Sequence, residues 1–347
     1  MKALILAGGK GTRLRPLTLY TPKPVVPIVN RPFLLYQLDL LKVAGITDVT
    51  LSLSYQPDKI EQVIGDGSDF GMGVRYITEP NPLGTGGAYR FAAGEIRETT
   101  VVLNGDILTD VDIQKLVDAH GSAKAAATIA LVRVPDPSAY GLVEAESDGR
   151  VKRFLEKPSP ETLAMLTTDT INAGIYVLEP SVLDLIPSGE NRSFEYDVFP
   201  AILERGEKFQ SFVLDGRYWR DIGNPASYLA AHHDLLSGKT GNFQIDRDGG
   251  QSDIATVAEI DDRSVIAGRC VIKPGARIVN SVLGSGVQVE EKAVIENSVV
   301  WAHTRIAAAA EITGTVVGRS CYIGRNASVR QGAVLGDKST IPDYSRT

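Results

Sequence analysis

The sequence predicts an α/β domain built on a mainly parallel sheet, followed by a triangular parallel β-helix. Two observations carry that expectation. Short β-rich runs alternate with helical patterns through the first two thirds of the chain. A regular apolar repeat of longer period then replaces them. With 43% hydrophobic and 22% charged residues over 347 positions, the chain has the balance of a globular protein of two ordinary domains rather than a disordered one.

Taken in order, the strand candidates of the first part are "KALILA", "DVTLSLS", "VRYITE", "TTVVLNGD", "AATIALVRV" and "AGIYVLE". Between them "PFLLYQLDLLKVAG" and "GGAYRFAAGEI" carry apolar residues at helical spacing, the first ending on Gly45 as a C-cap. In an open sheet of this kind the ligand crevice lies at the strand ends. The glycine-rich and polar stretch "SGKTGNFQIDRDGGQSD" marks a connector. The expected domains are therefore residues 1–236, a linker at 237–253, and a β-helix at 254–347.

In that last part, aliphatic residues fall at Ile266, Ile272 and Ile278, then Leu283, Val289 and Ile295, then Val300, Ile306 and Ile312, then Val317, Ile323 and Val329, with Leu335 and Ile341 beyond. Steps of six, six and five make a 17-residue period, visible again in "IVNSVLGSG", "IENSVVWAH" and "ITGTVVGRS". Three short strands per coil, each sending one aliphatic residue inward, give three faces. The pattern resembles the left-handed parallel β-helix of hexapeptide-repeat proteins, shortened by one residue at a corner; stacked antiparallel hairpins are the plainer alternative. Cys270 and Cys321, 51 residues apart, then sit three coils from each other. At about 4.8 Å per coil they stand about 14 Å apart and cannot form a disulfide.

A net charge of −6 argues against nucleic acid as a partner. No apolar run approaches the roughly 20 residues of a membrane span, and the N-terminal segment lacks the order of a signal peptide, so the expected location is the cytoplasm.

The stretch "LILAGGKGTRLRPLT" follows the first strand, so its backbone amides can converge on an anion. It lacks the third glycine of a dinucleotide turn and the closing GK[ST] of a Walker loop. Alone it could be an exposed turn with two chance arginines. Shortly after it, "TPKPVVPI" fixes Lys23 between two prolines. Arg13, Arg15 and Lys23 beside one glycine turn suit a triphosphate.

GGKGTRLRPLT followed by PKP resembles the signature of the nucleotide-sugar pyrophosphorylases, the sugar-1-phosphate nucleotidyltransferases. "EPNPLGTGGA", "LNGDIL", "YGLVE", "FLEKP", "NAGIYVL" and "YWRDIGNPASY" match further stations of that family along the whole first part. The resemblance implies a Rossmann-like nucleotidyltransferase domain, and several branches of the family also carry a β-helix. It implies attack of a sugar 1-phosphate on the α-phosphorus of a nucleoside triphosphate, with pyrophosphate leaving and Mg²⁺ as cofactor.

Carried onto this sequence, the family pattern gives Arg13 and Lys23 as catalytic cations. Leu6, Ala7, Gly8, Gly9, Gly11, Thr12, Gly84 and Thr85 become the nucleotide cradle, and Asp106 and Asp221 the metal ligands. Gly141, Glu156, Lys157 and Asn172 become the sugar-phosphate contacts. By themselves "NGD" reads as a turn and Glu156–Lys157 as a solvated pair. Thymidylyl relatives usually place a glutamine near the position where this chain reads "GTGGA", which turns the expectation towards guanine, and the combination with a β-helix resembles the family's GTP and mannose 1-phosphate branch. dTTP or UTP with glucose 1-phosphate, and GTP with a heptose 1-phosphate, are the alternatives.

Two readings of other classes compete. One is a non-catalytic regulatory subunit, against which stands the presence of Arg13, Lys23, Asp106, Lys157 and Asp221. The other is an acyltransferase on the β-helix, which would need a histidine base. His303 is the repeat's only histidine and reads as a solvated corner. His120, His232 and His233 fall on probable helices as structural or exposed residues. The β-helix is expected to support a homo-oligomer, with Trp301 and Tyr322 as candidate contacts.

Overall fold

The computed structural model describes residues 1–94, 96–159, 161–162, 168–241, 243, 245–247 and 250–347. Residues 242, 244, 248 and 249 of the expected linker lie outside the described residues. The chain forms two compact units: Met1–Gly9 with Leu34–Trp219, and Lys10–Phe33 with Arg220–Thr347. The glycine loop therefore begins in the first unit and continues in the second.

The first unit is a nine-stranded sheet with helices. The strands of the chain up to Asp221 are β1 (Lys2–Leu6), β2 (Pro27–Ile28), β3 (Arg31–Pro32), β4 (Asp48–Leu53), β5 (Gly73–Thr78), β6 (Thr100–Asn104), β7 (Ile107–Thr109), β8 (Ala127–Arg133), β9 (Gly141–Ala145), β10 (Val151–Glu156), β11 (Thr170–Leu178), β12 (Phe209–Val213) and β13 (Trp219–Asp221). The sheet runs β10-β9-β11-β6-β1-β4-β5, with β8 joining β11 to β12. Strands β6, β1, β4 and β5 are parallel, in register at Ala3 with Val49 and Val101. The nearly unbroken apolar runs of β1 and β6 are those of strands covered on both faces, whereas β5, at the sheet edge, exposes Gly73, Arg75 and Thr78.

Beyond β6 the strands β11, β9 and β10 run antiparallel. They carry the "FLEKP" and "NAGIYVL" stations away from the parallel part. Four helices matter here: α1 (Phe33–Val43), α2 (Pro57–Ile64), α3 (Gly84–Ala93) and α4 (Ile113–Ala123). As expected, α1 closes at Gly45, which has φ 73°. There the Gly45 and Ile46 amides donate back to Lys42 and Leu41. Under the antiparallel part lies an aromatic cluster of Tyr89, Tyr176, Phe194, Phe199 and Phe209, all buried.

The C-terminal stretch of the second unit is the left-handed parallel β-helix, three stacks of short parallel strands. Its inward residues form one aliphatic column from Ile272 to Val329, all buried. Neighbouring coils pair at 17 residues through the middle, as Leu283 with Val300 and Val300 with Val317. The end coils take 18, as Ile254 with Ile272 and Val317 with Leu335. The missing residue falls at one corner, where Ser264, Ser281, Ser298 and Thr315 stack. Each of the three serine hydroxyls accepts the backbone N–H of the next coil's member at 3.0–3.1 Å. That ladder satisfies backbone groups a tight corner would otherwise strand.

Corners take left-handed backbone, favoured by Asn280, Asn297 and Gly286. His303 is another such corner, exposed, with φ 61°. Cys270 and Cys321 are buried and free, and their thiols donate to Gly284 and Gly336 carbonyls. Burial pushes both thiols above their ordinary pKa.

Candidate active site

In the first unit, β1 ends against two neighbours. The Ala7 amide donates to Ser52 at 2.9 Å, and Gly105 lies so close that a Cβ there would meet the Leu6 carbonyl at 2.8 Å. A side chain at 105 would force β6 and β1 apart, so "NGD" brings Asp106 to the start of the glycine loop. Gly8 packs on Ser54 and Glu79, and Glu79 is itself buried. It accepts from the Ser52 hydroxyl at 3.0 Å and the Leu83 amide at 3.1 Å. Glu79 thus pins the entry to α3 beside the end of β1. In Gly9, by contrast, an added Cβ meets nothing within 4 Å.

The "GTGGA" segment has a different environment. Gly84, Gly86 and Gly87 would carry Cβ atoms into the backbone or side chains of residues 190–198, the one on residue 87 only 2.4 Å from the Glu190 carbonyl. The Thr85 hydroxyl donates to Glu195 at 2.8 Å and accepts from the Phe194 amide at 2.8 Å. Glu195 also receives the Ser193 hydroxyl. Glycine here lets two stretches of the chain touch, and the Thr85 side chain is committed to that contact.

Glu156 and Gly141 face each other across β10 and β9, and a Cβ on Gly141 would meet Glu156 Oε2 at 2.6 Å. Burial, and then the Glu195 charge, raise the Glu156 carboxyl above its ordinary pKa, while Lys157 opposes the shift. The Lys157 ammonium lies 3.7 Å from Glu156 on an otherwise exposed side chain. Asn172 sits at a bulge in β11. Its Oδ1 accepts the Gly174 amide at 2.8 Å and its Nδ2 donates to the Tyr176 hydroxyl at 2.9 Å. Trp219 donates to the Ala173 carbonyl at 2.9 Å and meets Tyr140 edge-on at 5.7 Å. Asp110 accepts the Tyr218 amide at 2.7 Å, fixing the chain three residues before Asp221.

In the second unit, Gly11 has φ 61°, and a Cβ there would meet the Lys23 and Thr18 side chains at 3.2 Å. The Thr18 hydroxyl donates to the Gly11 carbonyl at 2.7 Å. This closes the turn and leaves Thr12 and Arg13 exposed, with Leu14 and Leu17 buried beneath. Lys23 starts a single 3₁₀ turn between Pro22 and Pro24 and is buried. Gly223 lies where two predicted residues come together: a Cβ there would meet the Asp221 carboxylate at 2.8 Å and the Arg13 guanidinium at 3.2 Å.

The structure thus groups the predicted residues by unit. Leu6, Ala7, Gly8, Gly9 and Asp106 gather at the strand ends, Gly141, Glu156 and Lys157 at the β9–β10 pair, and Gly11, Thr12, Arg13, Lys23 and Asp221 in the second unit. Glu79 and Glu195 were missed. Glu79 lay in the quoted "EPNPLGTGGA" without a pattern to single it out, and Glu195 works through Thr85, 110 residues away in sequence. Trp301, expected as an assembly contact, is instead buried, its indole N–H bonded to the Tyr228 hydroxyl at 3.0 Å. His120 is buried between Thr128 and Glu179, and His232 is buried beside Tyr228.

Residues 2–238 match the nucleotidyl transferase family model, and residues 249–346 match the EIF2B subunit epsilon LbH domain. The mannose-1-phosphate guanylyltransferase of Mycobacterium tuberculosis is 42% identical over 85% of this chain and 82% of its own. The UTP–glucose-1-phosphate uridylyltransferase of a Synechocystis strain is 35% identical over 95% and 90%. The crystal structure of HddC from Yersinia pseudotuberculosis complexed with GMP-PN superposes with a TM-score of 0.57 at 33% identity, covering 67% of this chain and 99% of that one. The chain belongs to the nucleotidyl transferase family and is a sugar-1-phosphate nucleotidyltransferase that carries a C-terminal left-handed β-helix.

Proposed function

We propose that the protein transfers a guanylyl group from GTP to mannose 1-phosphate, giving GDP-mannose and pyrophosphate. The observation that carries the general reaction is the open glycine turn with Arg13 and Asp221 held together at Gly223. The guanine and mannose assignment is supported by the relative that is 42% identical.

In this reading a phosphate oxygen of mannose 1-phosphate attacks the α-phosphorus in line. The new P–O bond forms as the bond from the α-phosphorus to the bridging oxygen breaks, and pyrophosphate takes the electron pair. No proton donor or covalent enzyme intermediate is needed, so the chain's work is positioning and charge. Arg13 bridges α-phosphate and leaving-group oxygens with its fork, and Lys23 neutralises the incoming phosphates.

The backbone of Leu6, Ala7, Gly8, Gly9, Gly11, Thr12, Gly84 and Thr85 lines the nucleotide, with the Thr85 side chain engaged elsewhere. Lys157 meets the sugar phosphate. Glu156 accepts from sugar hydroxyls, Gly141 leaves room for the ring, and Asn172 holds the β11 bulge that faces it.

Asp106 and Asp221 are the metal ligands in this proposal. Their hard carboxylate oxygens suit Mg²⁺, which keeps phosphate oxygens and waters in its remaining positions. When bound, the ion would neutralise charge on the phosphates.

The location proposed is the cytoplasm, and among the described residues no helix is long and apolar enough to cross a membrane. Self-association through the β-helix belongs to the same reading and is checked by light scattering. The deciding experiment measures pyrophosphate release for five nucleotides against glucose, mannose, galactose and N-acetylglucosamine 1-phosphates with Mg²⁺. GTP with mannose 1-phosphate should give the highest kcat/KM. A far higher value for dTTP or UTP with glucose 1-phosphate would remove the guanylyl assignment, and no release with any pair would return the chain to the regulatory reading.

A further inference from the structure

The loop that carries Arg13 and Lys23 belongs to the same compact unit as the C-terminal part of the chain. Residues Lys10–Phe33 form one compact unit with the β-helix. One β-helix face makes this possible. Trp301 occupies a position at which the neighbouring coils have Gly284 and Gly318, each 17 residues away, and the shifted last coil has Gly336. At Gly336 a Cβ would stand 3.0 Å from Pro16, so the missing side chain admits the loop. Where the stack does carry a side chain, Trp301, it reaches the loop's far end. Its N–H donates to the Tyr228 hydroxyl, which in turn donates to the Pro27 carbonyl.

Four further contacts complete the attachment, three on the β-helix and one on the helix Pro225–Leu236. Arg319 lies over the Trp301 ring at 5.1 Å and donates to the Thr21 hydroxyl at 2.6 Å. Asn30 donates to the Leu283 carbonyl at 2.9 Å, and the Val29 amide donates to His232 Nδ1 at 3.3 Å. Burial holds the His232 ring down to a pKa of about 3, so it is neutral and free to accept that bond. Val29 and Asn30 have φ of 45° and 63°, and a β-branched residue enters that region only when its surroundings impose it.

Two of the fixed points lie between the cations in sequence. Pro16 is three residues after Arg13, and Thr21 is two before Lys23.

We propose that this β-helix face positions Arg13 and Lys23 for nucleotidyl transfer, with Arg319 and Trp301 as positioning residues. The proposal rests on the function assigned above and gives the β-helix a part in the reaction. A short loop with two cations would otherwise have to be ordered by the substrate in each cycle. Seating it on stacked coils removes that requirement, because preorganised charge gains its effect from not having to move.

The test uses the full chain with GTP, mannose 1-phosphate and Mg²⁺, and compares R319M, R319K, T21V and the double variant R319M/T21V. R319M should lower kcat by about tenfold while KM for mannose 1-phosphate stays within about twofold. R319K, which keeps a cation over Trp301, should recover much of the loss. The double variant should be no worse than R319M, since both changes delete the same bond. Hydrogen exchange should rise in residues 12–31 of R319M and stay unchanged in β1, β4 and β6.

Wild-type kcat in R319M, additive losses in the double variant, or exchange rising equally in both units would each overturn the proposal. Absence of turnover in the wild type with every nucleotide and sugar phosphate is a different result: the assigned function fails, and the positioning role falls with it.

Discussion

Two glycine-rich stretches, "AGGKGT" and "GTGGA", look alike in the sequence and differ in what fills the space beside them. At Gly84, Gly86 and Gly87 the space is taken by the chain itself, chiefly the backbone of residues 190–193. At Gly9 nothing lies within 4 Å of where a side chain would begin. Gly84, Gly86 and Gly87 are required by packing, as are Gly8 and Gly11 of the first stretch, whereas Gly9 stands open. Composition does not separate them, and only the three-dimensional neighbours tell which glycine is packed against the chain and which stands open.

That contrast can be broken experimentally. The largest effect belongs to the open turn's cation: Arg13→Ala should lower kcat by about 10²–10³, about 2.7–4 kcal/mol, with the melting temperature unchanged. Survival of turnover in a steady-state assay would remove Arg13 from the mechanism. Next, Gly84→Ala should act on the fold. Its Cβ would meet the Arg192 carbonyl at 2.5 Å at a φ of 71°. Overpacking and left-handed strain together cost about 2–4 kcal/mol, read as a lowered denaturant midpoint.

Gly9→Ala should reverse that pattern. Its stability should stay within about 0.5 kcal/mol of wild type. Its KM for GTP should rise about tenfold, or about 1.4 kcal/mol. Equal loss of stability in the two alanine variants would erase the distinction.

The smallest effect is a pH dependence. The Glu156 carboxyl is raised in the folded chain by burial and by Glu195, so the native state holds its proton to higher pH than the unfolded chain does. Its ionisation then subtracts stability as pH climbs from the ordinary glutamate range through the raised value. Glu156→Gln, which cannot ionise, should gain on the wild type over that climb and match it below. The melting difference should be about 2–4 °C at most. A constant difference at all pH values would mean the carboxylate is not destabilised where it sits.

Legibility followed periodicity. The β-helix repeats one contact pattern, so its aliphatic column, its shortened corner and the exposed turn at His303 were readable from spacing. The end coils of 18 residues were hidden because the five-residue step recurs only in the middle. The first strands and α1 were readable from local apolar patterning, and the cations of the glycine loop from their proximity in sequence.

What sequence could not display was contact across long separation. Arg319 and Thr21 are 298 residues apart, and Thr85 and Glu195 are 110 apart. Trp301 misled for the same reason. A single aromatic on a coil reads as surface until Tyr228 and Arg319 are seen to cover it.

The most direct test of the central claim, direct attack on the α-phosphorus of a triphosphate held at the open turn, is isotope exchange. Labelled pyrophosphate should enter GTP only when mannose 1-phosphate or GDP-mannose is present, because no guanylyl-enzyme forms. Exchange with GTP and Mg²⁺ alone would show a covalent intermediate and contradict the account.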